Sequence, residues 1–461
     1  MEKQNTAYRK ARFTDIVKYS FGGLGSNLAF ILCMSYLTFF YTDIFGLSAY
    51  AVSVLMLVAR VFDAVIDPAL GVIFDNTRSK WGKFRPYMLF GAPLLGFSLF
   101  SLFCSPSFSP AAKLVYAYVT YLFYSLISSV VNIPYHSLTP VMSQDPVQRT
   151  VIVSWKQGMG VASQFFITVL AIPMVNAFGG GQRGWMVYGA FVAVLTTISF
   201  YLCAWGGKRY DKPANVEAAA KEEAEKHEKI NFRRDLSLLL KNKPMILLMT
   251  SFCMNVLASS CSGGVNMYYF VYVLGREDLV SVVASATLAA QIIAIPVVPV
   301  LAKILGKKKL YLFSTAVGLI PMLLLLLKPD EGVAVLLSML SAYGFVTKIV
   351  GDLGWGMLPE CSDYAEWKFG KRADGLMSSA MTFFNQLGGA LGGFLTTFML
   401  GLAGYVANQP QTQSSLNMIV FLRFGLPAVA AVISIIALKF YPVTNEFHAK
   451  ITEDLNKRRS I

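Results

Sequence analysis

Charge is what this chain lacks. Only 14% of its 461 residues are Asp, Glu, Lys or Arg, against about 25% in an ordinary soluble domain. With 55% hydrophobic residues and a mean hydropathy of +0.54, the composition excludes a water-soluble globule and describes a membrane protein. The six cysteines (Cys33, Cys104, Cys203, Cys253, Cys261 and Cys361) stand far apart, mostly inside apolar runs. No metal or disulfide spacing appears among them, so they read as small core residues. There are three histidines and no catalytic dyad or metal motif, which argues against a membrane enzyme. The one long glycine run, Gly388-Gly389-Ala390-Leu391-Gly392-Gly393, is too apolar for a phosphate loop. A cleavable signal is not expected, because the N-terminus is polar up to about Phe13. The tail beyond Tyr441 is too short for a signalling domain.

What the chain has is apolar runs, about twelve of them at ~20 residues or more. Spans are expected near 16–42, 49–74, 87–104, 112–142, 150–177 and 184–206, then 245–273, 279–304, 308–327, 333–359, 374–404 and 416–441. The expected organisation is a six-helix bundle over 1–207, a central loop over 208–244, a second bundle over 245–441 and a tail over 442–461. Within the central loop, Ala218 to Lys226 is helix-prone.

The net charge of +14 is no sign of nucleic acid. Basic residues sit in alternate loops, as the positive-inside rule requires: Lys3, Arg9, Lys10, Arg12 and Lys18; then Arg78, Lys80, Lys83 and Arg85; Lys303 and Lys307 to Lys309; Lys368, Lys371 and Arg372; and Lys457 to Arg459. The loops Thr42–Ser48 and Asn408–Asn417 have none. Both termini are therefore expected on the cytoplasmic side of the cytoplasmic membrane. Two six-span halves joined by a long loop suggest the major-facilitator architecture, an all-α fold whose substrate sites lie near the midplane between its halves.

The few charges inside the spans carry the functional signal. Arg60, Asp63 and Asp67 are spaced by three and four, which is one face of a helix. Each costs several kcal/mol in a bilayer unless paired or wetted, and such charges usually mark an ion or substrate path. Arg60 with one aspartate reads equally as a structural ion pair. The second aspartate, one turn away, points to cation handling. In the first span, Asn27 follows the run Gly22-Gly23-Leu24-Gly25 and Ser26; it bonds either a sugar hydroxyl or a neighbouring helix. In the fourth, Ser125, Ser129, Asn132 and His136 form a polar stripe interrupted by Pro134. There His136 reads as a hydrogen-bonding group rather than a metal ligand. Lys156 either snorkels to the surface or serves a site. Lys348 and Asp352 are either a self-neutralising pair or a polar hand offered to substrate, with Trp355 as a stacking surface. Thr382, Asn385, Gln386 and Asn255 each read as interhelical glue, and together as a polar, largely uncharged set suited to a polyol.

With these residues in view, the chain resembles the glycoside–pentoside–hexuronide:cation symporters, whose best-known member is melibiose permease. The matching stretches are Tyr41-Thr42-Asp43, Arg60 to Pro68, Thr77 to Pro86, Asn132-Ile133-Pro134-Tyr135 and Asp363 to Lys368. The nearest subgroup looks like the glucuronide carriers, with Tyr405 to Gln409 as a further match. The resemblance implies sugar–cation symport by alternating access. It places Asp63 and Asp67 at the cation-site aspartates. Asn27 and Asn132 fall at the family's sugar-binding aspartates, Lys156 at an arginine, His136 at a tryptophan and Gln386 at a lysine, while Thr382 is retained. Ile66 replaces an amide that sodium coupling uses.

The expectation is thus cation-coupled import of a glycoside or hexuronide. Arg60, Ser129, Lys348, Asp352 and Trp355 join the substrate-binding set, and the alternative is export or exchange of an organic anion such as a sulfonated sugar product. No cofactor, nucleic acid or obligate protein partner is expected; the partners are the solute and membrane lipid. A proton is favoured over sodium, because sodium needs several oxygens and Ile66 offers none.

Overall fold

The computed structural model describes residues 10–77, 79–143, 145–212, 239–330, 332–370 and 374–459. The helix-prone stretch Ala218 to Lys226, and Lys3, Arg9, Arg78, Lys371 and Arg372, lie outside the described residues. Among the described residues there are helices and no strands. Among the described residues nine helices are long and apolar enough to cross a membrane, and a tenth if one bent pair counts as a single span.

The chain folds as two compact units, 1–228 and 229–461. In the first, α1 runs over Phe13–Leu32 and continues through π-helical turns at Cys33–Leu37 and Phe40–Ile44. It is followed by α2 (Ala49–Asn76), α3 (Arg85–Leu102), α4 (Pro110–Met142), α5 (Pro146–Gln164) and α6 (Gly181–Gly206). The run expected as one span over 150–177 is broken: after the π-helical turn Phe165–Val169, the short helix Ala171–Ala177 departs at 48°. In the second unit, α7 is Lys243–Gly264, extended by Asn266–Tyr268 and Tyr269–Val273, and α8 is Leu279–Leu305. Then come α9 (Lys307–Leu327), α10 (Val333–Gly356), α11 (Asp374–Leu402) and α12 (Gln413–Val420, a π-helical turn Phe421–Gly425, and Leu426–Lys439).

Side-chain interlocks explain how six rods hold together when lipid gives no hydrophobic drive between them. In the first unit an aromatic knot joins α1, α3 and α6: Phe40 lies 5.1 Å from Phe103, which stacks on Trp185 at 6.0 Å. In the second unit the glycine run of α11 does what its composition suggests. A Cβ on Gly388 or Gly392 would come within 2.7 or 2.6 Å of a carbonyl oxygen of α7, so the two backbones touch there.

Two features were not legible as elements. The stretch after α10, read as a polar loop, is a helix (Leu358–Phe369) separated from α10 by a break at Met357. The tail is also a helix, α13 (Asn445–Arg459). It docks on Leu358–Phe369 through His448 to Asp363 (2.9 Å), Trp367 to Asp454 (3.1 Å) and a Phe447–Trp367 edge contact (5.7 Å). Its Ile451 and Leu455 enter the same buried cluster as Met245 and Met357. It is part of the fold.

At the start of α3 the polar backbone is capped from afar. Asp211, just past α6, accepts from the backbone N–H of Lys83 (3.0 Å), Phe84 (2.8 Å) and Arg85 (2.8 Å). Arg85 in turn donates through Nε to the Ala204 carbonyl at 2.8 Å. Its side chain is buried and tied to α6. Losing a charged cap with three donors should cost about 2–3 kcal/mol. We expect Asp211→Ala to lower the thermal midpoint of the purified protein by several degrees, and Asp211→Asn by less. An unchanged midpoint in both variants would show that solvent replaces the cap.

Candidate functional site

Two polar clusters form in the first unit, and α4 carries both. The first joins α2 and α4. Spacings of three and four bring Arg60, Asp63 and Asp67 onto one face of α2. The Arg60 guanidinium lies 3.7 Å from Asp63, and Ser125 of α4 donates its hydroxyl to the other oxygen of the same carboxylate. Asp63 is therefore answered from both sides. Asp67 is not: its Oδ1 is shielded and accepts no hydrogen bond. A shielded carboxylate oxygen without a donor is costly. A proton or a cation is the group that would answer it. Among the described residues no three His, Cys, Asp or Glu side chains gather as a metal site. A metal cation at Asp67 would thus have to draw on hydroxyl, amide or carbonyl oxygens.

The second cluster joins α1, α4 and α5 around Lys156. Its ammonium does not snorkel. It donates to the Thr139 hydroxyl at 3.2 Å and sits over the rings of Tyr135 (4.3 Å) and Tyr19 (5.5 Å). Tyr19 fixes the group by donating to the Tyr135 carbonyl at 2.5 Å and bonding Thr139 at 2.8 Å. The Tyr135 hydroxyl is shielded and unpartnered. No carboxylate pairs with Lys156 among the described residues, so its charge is met only by ring faces and a hydroxyl. Gly23 makes the arrangement fit, since a Cβ there would stand 2.7 Å from the Lys156 carbonyl oxygen. One turn further along each helix, Asn27 faces Gly160.

The expected polar stripe of α4 divides between these clusters. Ser125 belongs to the first. Ser129 is half-buried on the same helix. Asn132 turns its amide N–H back to the Ser128 carbonyl (2.9 Å) and hydroxyl (3.1 Å), leaving a shielded Oδ1 with no donor. Asn27 likewise donates to the Gly23 carbonyl of its own helix at 2.8 Å. His136 is exposed, with its ring 4.9 Å from that of Tyr135. From Ser125 to Tyr135 is ten residues of helix, about 15 Å.

The second unit contributes less than expected. Lys348 and Asp352 pair with each other at 2.7 Å and bring no net charge. Trp355 is 44% exposed and packs edge-on against Phe252 at 5.6 Å. Thr382 donates to the Ser378 carbonyl one turn back (3.0 Å), and both it and Gln386 are exposed. Asn255, open between interhelical glue and a cavity group, bonds the Ser251 carbonyl (2.8 Å), the Tyr311 hydroxyl (3.0 Å) and the Ser434 hydroxyl (3.2 Å). It pins helices within its own unit. Tyr19 and Thr139 had not been singled out, and Tyr135 stood only within the stretch Asn132-Ile133-Pro134-Tyr135.

Residues 18–445 match the family described as MFS/sugar transport protein. The chain is 32% identical to an uncharacterised symporter of Bacillus subtilis (strain 168), over 98% of this chain and 96% of that protein. It is 32% identical to the isoprimeverose transporter of Lactiplantibacillus pentosus, over 96% of this chain and 91% of that one. Among solved structures, the inward-open xylose transporter XylE of E. coli matches with a TM-score of 0.62 at 14% identity, covering 94% of this chain and 97% of that one. The chain belongs to the MFS/sugar transport family, a membrane transporter family and not an enzyme family.

The Ser125 hydroxyl is the group that ties α4 to the carboxylates. A hydrogen bond to a charged acceptor is worth about 1.5–3 kcal/mol. Ser125→Ala should therefore weaken cation dependence by about tenfold or more, read as the half-saturating cation concentration for uptake, while Ser125→Thr retains it. Equal cation dependence in both variants would remove Ser125 from the site.

Proposed function

We propose that the protein imports a sugar-derived acid, a glycoside or hexuronide, together with a cation by alternating access across the cytoplasmic membrane, both termini facing the cytoplasm. The observation that carries the cation half is the division of labour on α2: Asp63 is answered by Arg60 and Ser125, and the Asp67 Oδ1 is not. Asp67 is the carrier and Asp63 its neighbour held in place. Ile66 lies between them in sequence and offers no oxygen. A single proton needs one acceptor where sodium needs several, so the coupling ion is a proton. The test is uptake into sodium-free vesicles driven by an inward pH gradient. Asp67→Asn should abolish accumulation while downhill exchange of solute survives. Accumulation that requires sodium and ignores the pH gradient would replace the proton by sodium.

The solute half rests on Lys156. Asn27 and Asn132 bring amides where acids would bring negative charge, and Lys348 is cancelled by Asp352. In the first unit the Lys156 ammonium is met by no carboxylate among the described residues and is the charge offered to a solute, with the Asn132 Oδ1 and the Tyr135 hydroxyl as unfilled hydrogen-bonding groups beside it on α4. Coulomb attraction in a poorly hydrated site is several times its value in water. We expect a uronic acid to displace bound solute better than its neutral glycoside, and Lys156→Gln to erase most of that preference while leaving neutral competitors unchanged. Equal displacement by acid and neutral sugar in the unaltered protein would refute the anionic reading and leave a neutral glycoside.

A further inference from the structure

The half-buried Arg423 has no part in this scheme. Arg423 lies ten residues into α12 from Gln413, about 15 Å along a helix, in the π-helical turn Phe421–Gly425. Such turns in long helices mark functional positions more often than chance. The guanidinium stays charged in any protein setting. Its Nη1 donates to the Ser262 hydroxyl of α7, and that hydroxyl donates to the Arg423 carbonyl at 3.2 Å. Its Nε is shielded and has no acceptor. Its carbon lies 5.5 Å from the Phe424 ring, and its electrostatic neighbours are Tyr269 and Tyr343. Tyr269 donates its hydroxyl hydrogen bond to the Pro329 carbonyl. Among the described residues no carboxylate pairs with Arg423.

A guanidinium used only to pin helices would have its charge met by a carboxylate or its N–H groups met by carbonyls, as the Arg85 group is. Arg423 has one serine and an orphaned donor. We propose that Arg423, with Ser262, forms an anion site within the second unit, taking one small monovalent anionic group: a halide or a carboxylate. A single guanidinium and neutral hydroxyls suit one negative charge and not a divalent phosphate. The site is separate from the Lys156 cluster, which belongs to the other unit. The anion comes either free from solution or as the acid group of a solute, and both present the same chemistry to the guanidinium.

The experiment uses the full-length purified protein in a choline-based buffer, so that the coupling cation is held constant. Thermal midpoints are followed as choline chloride, choline acetate or choline glucuronate is added, with choline sulfate at matched ionic strength as the reference. A saturable rise of several degrees is expected with at least one of the three. It should vanish in Arg423→Gln and need at least tenfold more anion in Ser262→Ala, which keeps the helix packing if the arginine variant fails to fold. Repeating the glucuronate arm in Lys156→Gln separates this site from the proposed solute site: a rise that survives there and vanishes in Arg423→Gln belongs to Arg423. Rises with chloride or acetate identify a free anion; a rise with glucuronate alone identifies the acid group of a solute. No rise with any of the three, or a rise unchanged in both Arg423→Gln and Ser262→Ala, overturns the proposal.

Discussion

The cost of burying charge in an apolar solvent governs this structure. Every ionic group held inside a span must be answered by a partner, a ring face or a ligand, and the degree to which each is answered separates scaffold from site. Lys348 and Asp352 cancel one another at 2.7 Å and are finished. Arg60 and Asp63, helped by Ser125, are nearly so. Lys156 has only tyrosine faces and one hydroxyl, and the Asp67 Oδ1 has nothing. The same ranking sets uncharged groups apart: Asn255 has three acceptors and pins helices, while Asn132 keeps a free oxygen.

α4 is the element on which both clusters depend. It gives Ser125 to the carboxylates and Tyr135 and Thr139 to the lysine, with Asn132 between them. A displacement of α4 that strengthened the Ser125 contact would be felt at Thr139 through one continuous helix. The prolines at 134 and 140 sit within that helix, in its Lys156-proximal part. They remove two of the backbone bonds that would stiffen it. Coupling two ligands requires an element that both can bias, and α4 touches both.

The sequence disclosed what depends on local periodicity. The Arg60, Asp63, Asp67 face follows from 3.6 residues per turn, and the Gly388–Gly393 run announced a close helix contact that α7 supplies. Most of the long helices were legible from apolar runs, the run over 150–177 being broken. What stayed hidden was set by contacts distant in sequence. Tyr19, Thr139 and Lys156 meet across three helices, and no spacing within one helix signals that. Asp211 caps a helix 126 residues earlier in the chain. The stretch Leu358–Phe369 and α13 looked like polar loop and tail because each buries only a narrow stripe against the other. The break at Leu170 has a local mark that was passed over: Pro173 has no N–H for the Val169 carbonyl and its ring crowds that carbonyl.

On the reading proposed for the first unit, charge alone couples cation to solute. Arg60 and Lys156 are positive, Asp63 and Asp67 negative, so the four sum to zero when the unit is empty. A cation on Asp67 together with an acid on Lys156 again sums to zero. Either ligand alone leaves one net charge inside spans about 30 Å thick, where an unmatched charge is costly. A conformational change that carries these helices through an apolar layer is thus penalised in both half-loaded states and in neither the empty nor the full one. That is the condition a symporter has to meet: the empty carrier returns and the doubly loaded carrier crosses, while leaks are suppressed. A neutral solute would not satisfy it. With Lys156 left positive, the cation-loaded carrier would keep its net charge after the neutral solute bound. On that reading the amides of Asn27 and Asn132 and the Lys156 ammonium, met by no carboxylate among the described residues, belong to one design, in which the solute brings the negative charge.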